Sequence, residues 1–184
     1  GLVPELVYTN TVVSALATTT DAEGDPVSLA YAWAVDGVVV SETGSSLSGV
    51  AHFDKGQVVS VIVTPSDGFD EGAPAVGDST TVLNSPPVPP SLIIIPESPV
   101  EGVDDVWCAV DASASDADSD PVALSFEWSV DGVPWTGALM TTSEPGDTVP
   151  LSETAADQEW TCTVTPHDGD ETGDTVSATV TIEN

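Results

Sequence analysis

Apolar and polar residues alternate along most of this chain. Leu124, Phe126, Trp128 and Val130 are interleaved with Ala123, Ser125, Glu127 and Ser129. Trp160, Cys162 and Val164 alternate with Thr161, Thr163 and Thr165, and Val176, Ala178, Val180 and Ile182 with Ser177, Thr179 and Thr181. In the first half, Leu29, Tyr31, Trp33 and Val35 keep the same step, as do Val59, Val61 and Val63. A period of two places each apolar set on one face of an extended strand, so these segments are predicted as half-buried antiparallel strands. Asp36-Gly37 and Asp131-Gly132 follow two of them and mark tight hairpins. No segment carries the 3.6-residue period of an amphipathic helix. Many short strands bounded by Gly, Pro and Asp predict an all-β fold of the sandwich type.

The pattern occurs twice. Asp21-Ala-Glu-Gly-Asp25-Pro26-Val27 returns as Asp116-Ala-Asp-Ser-Asp120-Pro121-Val122, and Ala32-Trp33-Ala34-Val35-Asp36-Gly37-Val38 as Glu127-Trp128-Ser129-Val130-Asp131-Gly132-Val133, both 95 residues on. Val63-Thr64-Pro65-Ser66-Asp67-Gly68 returns as Val164-Thr165-Pro166-His167-Asp168-Gly169, 101 residues on. The second copy therefore holds six extra residues between its central tryptophan and its Thr-Pro, which places an insertion in a loop. Asn84-Ser-Pro-Pro-Val-Pro-Pro90 separates the copies, and so rich a proline tract is extended and semi-rigid. The predicted organisation is repeat 1 over 1–85, a linker over 86–90 and repeat 2 over 91–184. Each repeat has about 90 residues, enough for one modest core.

In the second repeat Cys108 lies in an early strand, Trp128 in the next and Cys162 in the penultimate one. That order is similar to an immunoglobulin domain, in which a disulfide joins the B and F strands and the tryptophan packs on it. Trp160 stands two residues before the second cysteine, where such domains carry a corner tyrosine. The likeness implies a Cys108–Cys162 bridge and an oxidising compartment. The aligned residues of the first repeat are Val13 and Val61, as expected of core positions without a bridge. Two buried free thiols are the alternative. The predicted fold is thus two tandem immunoglobulin-like, Greek-key β-sandwich domains joined end to end.

Charge narrows the range of partners. One lysine and no arginine stand against 31 acidic residues, a net charge of −30. No basic patch exists to displace the counterions of a nucleic acid, and an anionic membrane repels such a surface. With 40 % apolar residues and five tryptophans the acidity belongs to a folded protein and not to a disordered one. The longest apolar run, Leu92 to Ile95, is strand-sized, so direct membrane insertion is not expected. The second repeat holds 20 of the acids and the first holds 11. Either a halophilic setting or loading with calcium accounts for such an excess.

The motifs Asp-x-Asp/Glu-x-Asp-Pro-Val, x-Trp-x-Val-Asp-Gly and Val-Thr-Pro-x-Asp-Gly together resemble the PKD-type and cadherin-like immunoglobulin-fold repeats of large bacterial surface and secreted proteins. The resemblance covers nearly the whole chain, twice. It implies an extracellular or cell-surface stalk, spacer or fibre module, stiffened by calcium, whose partners are neighbouring repeats of the same protein or polymer. The cysteine pair is outside the usual pattern of these repeats.

The acidic loops are the one candidate site. Asp21, Glu23 and Asp25 alternate at positions 1, 3 and 5, as do Asp116, Asp118 and Asp120. That spacing turns three carboxylates toward one point, as in the first half of an EF-hand loop. In an immunoglobulin sandwich the B–C and F–G loops share a pole, which adds Asp67, Asp70 and Glu71 to the first set and Asp168, Asp170 and Glu171 to the second. Six carboxylates per pole match the six to eight oxygens of Ca²⁺. The plainer reading is that Asp and Gly here only make turns. Chain order would bring the second set to the junction of the repeats, where Asn84 or linker carbonyls complete the shell. Trp135 and Trp107 align with Val40 and Val12, so Trp135 is a candidate surface contact for a cell-surface glycan or protein. Neither His52 nor His167 sits in a nucleophile–base motif, and no insertion is long enough to house a sugar cleft, so no enzymatic activity is expected. An adhesin or carbohydrate-binding module and an accessory domain of a secreted enzyme are the alternative readings.

Overall fold

The structure is a computed structural model describing residues 1–184. The chain divides into two compact units, Gly1–Ser85 and Pro86–Asn184. In the first, the alternating segments form β1 (Leu2–Val3), β2 (Val12–Ala15), β3 (Ser28–Val35), β4 (Val38–Val39), β5 (Ser46–Ser48), β6 (Val58–Ser66) and β7 (Ala75–Thr81). In the second they form β8 (Ser91–Ile95), β9 (Val106–Ala112), β10 (Ala123–Val130), β11 (Val133–Trp135), β12 (Thr148–Val149), β13 (Glu159–His167) and β14 (Val176–Thr181). Helix is confined to one turn in each unit, Gly49–His52 and Leu151–Glu153, and neither can cross a membrane.

Each unit is a sandwich of two antiparallel sheets with the same strand order. The first unit pairs β1-β2-β5 against β4-β3-β6-β7, and the second pairs β8-β9-β12 against β11-β10-β13-β14. The chain changes sheets three times in each unit, in the first between β2 and β3, β4 and β5, and β5 and β6, which gives the Greek-key path of an immunoglobulin-like domain. The hairpins are the Asp-Gly turns. Asp36 and Gly37 have φ of 49° and 77°, and Asp131 and Gly132 have 51° and 77°. Two consecutive positive φ values define the type I′ turn whose twist matches that of the flanking strands. The same aspartates brace the next strand. Asp36 Oδ1 accepts the Val58 N–H at 2.9 Å, and Asp131 Oδ1 accepts that of Glu159 at 2.9 Å.

Period two decides what enters the core. Trp33, Val35, Val59, Val61 and Val63 are buried with Val13, Leu47 and Phe53 in the first unit. In the second, Cys108, Phe126, Trp128, Trp160, Cys162 and Val164 are buried together. Both central tryptophans satisfy their one donor locally, Trp33 Nε1 on Gly44 O at 2.9 Å and Trp128 Nε1 on Gly146 O at 3.1 Å. Cys108 and Cys162 form a disulfide between the two sheets, with Cα atoms 6.3 Å apart. Val13 and Val61 occupy the same places in the first unit, both buried.

The six-residue insertion lies between the hairpin and the following strand, over 136–147 in the second unit against 40–45 in the first. The proline tract 86–90, read as a linker from its composition, groups with the second unit. There Val88 N donates to Ser115 O at 2.7 Å, and Ser115 N donates to Val88 O at 3.2 Å. Proline removes donors but leaves carbonyls and the intervening N–H free to pair, and Val88 uses both.

Candidate functional site

In each of four acidic loops the leading aspartate accepts two backbone N–H groups on one oxygen. Asp21 Oδ1 accepts the N–H groups of Glu23 at 2.8 Å and Asp25 at 3.0 Å. Asp116 Oδ1 accepts those of Asp118 at 2.8 Å and Asp120 at 3.2 Å. Asp67 Oδ1 takes Phe69 at 2.7 Å and Asp70 at 2.8 Å, and Asp168 Oδ1 takes Asp170 and Glu171, both at 2.7 Å. Aspartate favours turns because its side chain bonds the backbone two residues on. One oxygen of each leading aspartate is therefore a turn former. The N–H groups of Asp70 and Phe69 also hold the Asp67 carboxyl below its ordinary value, so it is ionised at neutral pH.

The loops differ in where the remaining oxygens go. In the second unit one carboxylate oxygen from each of Asp116, Asp118 and Asp120 lies within 4.8 Å of the other two, and all three residues are half-buried. Asp116 Oδ2 is buried with no hydrogen-bond partner. Two carboxylates about 5 Å apart repel by roughly 3 kcal/mol at an effective dielectric near 20, and a buried oxygen without a donor adds to that. A hard cation with oxygen ligands reverses the sign of both. The donor set therefore fits Ca²⁺, with water or backbone oxygens needed to reach six or more ligands.

The first unit is arranged otherwise. Asp21 meets Asp67, Asp70 and Glu71 around one open recess with Thr19 and Thr20, so its B–C and F–G loops do share a pole. Glu23 and Asp25 are exposed and lie outside that recess. In the second unit Asp170 and Glu171 line a recess with Pro86, His167, Gly169 and Thr172 instead of joining the triad. Asn84 Oδ1 accepts a hydrogen bond from Lys55 Nζ at 2.8 Å.

Trp135 is half-buried. Its ring meets Trp160 edge-on, with centroids 5.0 Å apart, and Trp160 in turn meets Trp128 at 6.3 Å. Register explains this: Trp135 is the cross-strand partner of Trp128 and points to the same inner face. It forms one wall of a recess with Pro134, Thr136 and Leu139.

Sequence reasoning missed Asp147. It is buried at the end of the inserted loop and accepts from the N–H groups of Thr142, Ser143 and Glu144 at 2.8, 2.8 and 2.9 Å. Thr148 Oγ1 at 2.8 Å and Trp107 Nε1 at 3.0 Å complete its shell. Pro145-Gly146-Asp147 announces a turn, but nothing local announces the Trp107 indole on β9.

No protein-family model matches the chain, and no curated protein matches it. Among solved structures the chain is similar to the selenomethionine-substituted chicken interferon gamma receptor alpha chain. That likeness has a TM-score of 0.57 over 100 % of this chain and 97 % of that one, at 8 % sequence identity. At so low an identity it shows the fold alone, a tandem of immunoglobulin-like β-sandwich domains.

Proposed function

We propose that this chain is a spacer module of an extracellular surface protein, of the PKD or cadherin-like type, stabilised by calcium and without enzymatic activity. The observation that carries the proposal is the convergence of one oxygen each of Asp116, Asp118 and Asp120, together with a buried Asp116 Oδ2 that no donor satisfies. These three residues would hold the ion. Its contribution is charge neutralisation, which fixes the loop between β9 and β10 and removes the penalty of burying Asp116 Oδ2. The disulfide supports an oxidising compartment. Two units that each bury their own core support a module that spaces or displays other parts.

Isothermal titration of CaCl₂ into chelator-stripped protein tests the metal. Extracellular calcium modules bind with dissociation constants of about 10⁻⁴ to 10⁻³ M, and a saturable isotherm in that range is expected. Asp118→Ala with Asp120→Ala should remove the strongest binding event. Undiminished heat in that variant would place the ion elsewhere and end the assignment to this triad.

A further inference from the structure

Gly72 and Gly173 close the same loop in the two units. Each donates its N–H to a proline carbonyl at 2.9 Å, Pro65 in the first and Pro166 in the second. Neither has a positive φ, so the backbone alone does not require glycine at either place. In the second unit the reason is a close approach. A Cβ on Gly173 would strike the Pro87 carbonyl oxygen, because the tract 86–90 runs past it. Val88 and Ser115 hold the tract there by exchanging backbone hydrogen bonds both ways, and Pro86 lines the recess beside Asp170 and Glu171. In the first unit the three atoms nearest to a Cβ on Gly72 all belong to Pro65. Gly72 instead lines an open recess of about 220 Å³ with Thr19, Thr20, Pro65, Asp70 and Glu71. Thr20 is the counterpart of Ser115 at the repeat offset of 95 residues. It is exposed, and no other residue bonds its N–H or its carbonyl.

Strand pairing shows where the matching segment of chain would lie. Leu2 pairs with Ala15 as Leu92 pairs with Val110, so Gly1 stands where Ser91 does. The five residues 86–90 therefore correspond to the five positions ahead of Gly1. Gly1 donates to the Leu16 carbonyl at 2.9 Å and accepts from the Leu16 N–H at 2.8 Å. A chain continued ahead of Gly1 is thereby directed along 17–20, toward Gly72.

We propose that this recess is a seat for an extended, proline-rich and uncharged segment leading into Gly1, held as the tract 86–90 is held on the second unit. The comparison fixes the chemistry of the occupant. Acids flank both places, yet the tract carries no charge, so the seat does not select a basic segment. Prolines pre-set the extended backbone and lower the entropy lost on docking. They have no N–H, so one other residue must stand among them to bond the Thr20 carbonyl, as Val88 bonds that of Ser115. The absent Cβ of Gly72 leaves room for the segment's own carbonyl. A second copy is a poor source, because its tract is engaged on its own second unit. The seat deepens the spacer reading and rests on it for the source of the segment, the connection from a preceding repeat. It requires no metal.

Joining Ser-Pro-Pro-Val-Pro-Pro ahead of Gly1 of the full chain tests the seat, with amide hydrogen exchange followed by NMR in chelator. An N–H of Thr19 or Thr20 should exchange about tenfold or more slowly than in a chain carrying a Gly-Ser extension of the same length. The Ser115 N–H should be protected in both chains and serves as the internal reference. Gly72→Ala should remove the new protection, since its Cβ takes the place of the segment's carbonyl. If that variant folds poorly, replacing the added valine by proline removes the pairing N–H and should do the same. Equal exchange at both threonines in the two chains, with Ser115 protected, overturns the proposal. So does protection that appears without the extension and grows with protein concentration, which assigns the seat to a second copy. Chelator keeps the result independent of the calcium assignment. Because the extension is supplied, failure of the seat is distinct from failure of the spacer reading.

Discussion

Cys108 on β9 and Cys162 on β13 tie the two sheets of the second unit together, Cα to Cα 6.3 Å, at the places Val13 and Val61 hold in the first. The bridge closes a loop of 54 residues, for which chain entropy gives a stabilisation of about 4 kcal/mol. Reduction, or Cys108→Val with Cys162→Val, should destabilise the second unit by about 2–4 kcal/mol while leaving the fold, because the first unit packs valines at the same points. Denaturant unfolding with and without reductant measures this. Two reactive thiols in unfolded, unreduced protein would contradict the bridge.

Asp147 should be the most sensitive acid in the chain. Burial alone raises its pKa, but the N–H groups of Glu144, Thr142 and Ser143 and the Thr148 hydroxyl outweigh that and hold it below its ordinary 3.8. A carboxyl with a lower pKa folded than unfolded adds stability above its unfolded pKa. That stability is lost as pH falls through the folded value. Acid below about pH 4 should therefore loosen the loop 136–147, and Asp147→Asn should lose this part of the pH dependence. Asp147→Ala should cost about 3 kcal/mol, since it leaves several donors, Trp107 Nε1 among them, without an acceptor. Equal acid sensitivity in wild type and Asp147→Asn would show that another group is responsible.

Gly72 and Gly173 hold the same position in the two units but have different neighbours. A Cβ on Gly173 would strike the carbonyl oxygen of Pro87, whereas one on Gly72 meets the Pro65 ring at 2.8 Å. Gly173→Ala should cost about 2–3 kcal/mol and Gly72→Ala less, because the Pro65 ring can shift more easily than the tract's backbone. Thermal melts of the two variants check the order. Equal, small effects would mean that the proline tract is not held against the second unit.

The alternating residues placed the sheets, and the turns followed from chemistry that is purely local: Asp36-Gly37 and Asp131-Gly132 have the positive φ values that aspartate tolerates and glycine, without a Cβ, adopts freely. Trp128 between Cys108 and Cys162 announced the bridge, because its spacing reflects a strand order and not a detail of packing. What sequence did not disclose depends on contacts between distant segments. Asp21-Ala-Glu-Gly-Asp25 and Asp116-Ala-Asp-Ser-Asp120 read alike and make the same turn, yet the second converges while Glu23 and Asp25 stay exposed. Val88 looked like linker until its backbone found Ser115. Trp135 had no aromatic counterpart and so read as a candidate surface contact; its pairing with Trp128 sets its ring against Trp160 and leaves it half-buried at the wall of a recess.

The central claim is that the carboxylates of Asp116, Asp118 and Asp120 hold calcium in the folded chain, and the melting temperature tests it most directly. A ligand that binds only the folded state stabilises it by about 2.7 kcal/mol at a hundredfold excess over its dissociation constant. Screening alone also stabilises so acidic a protein, so each calcium concentration needs NaCl at the same ionic strength beside it. Millimolar CaCl₂ should raise the melting temperature above the matched NaCl value in wild type, and the difference should vanish in Asp118→Ala with Asp120→Ala. If NaCl reproduces the whole shift, the acidic loops are turns on a charged surface and hold no specific ion.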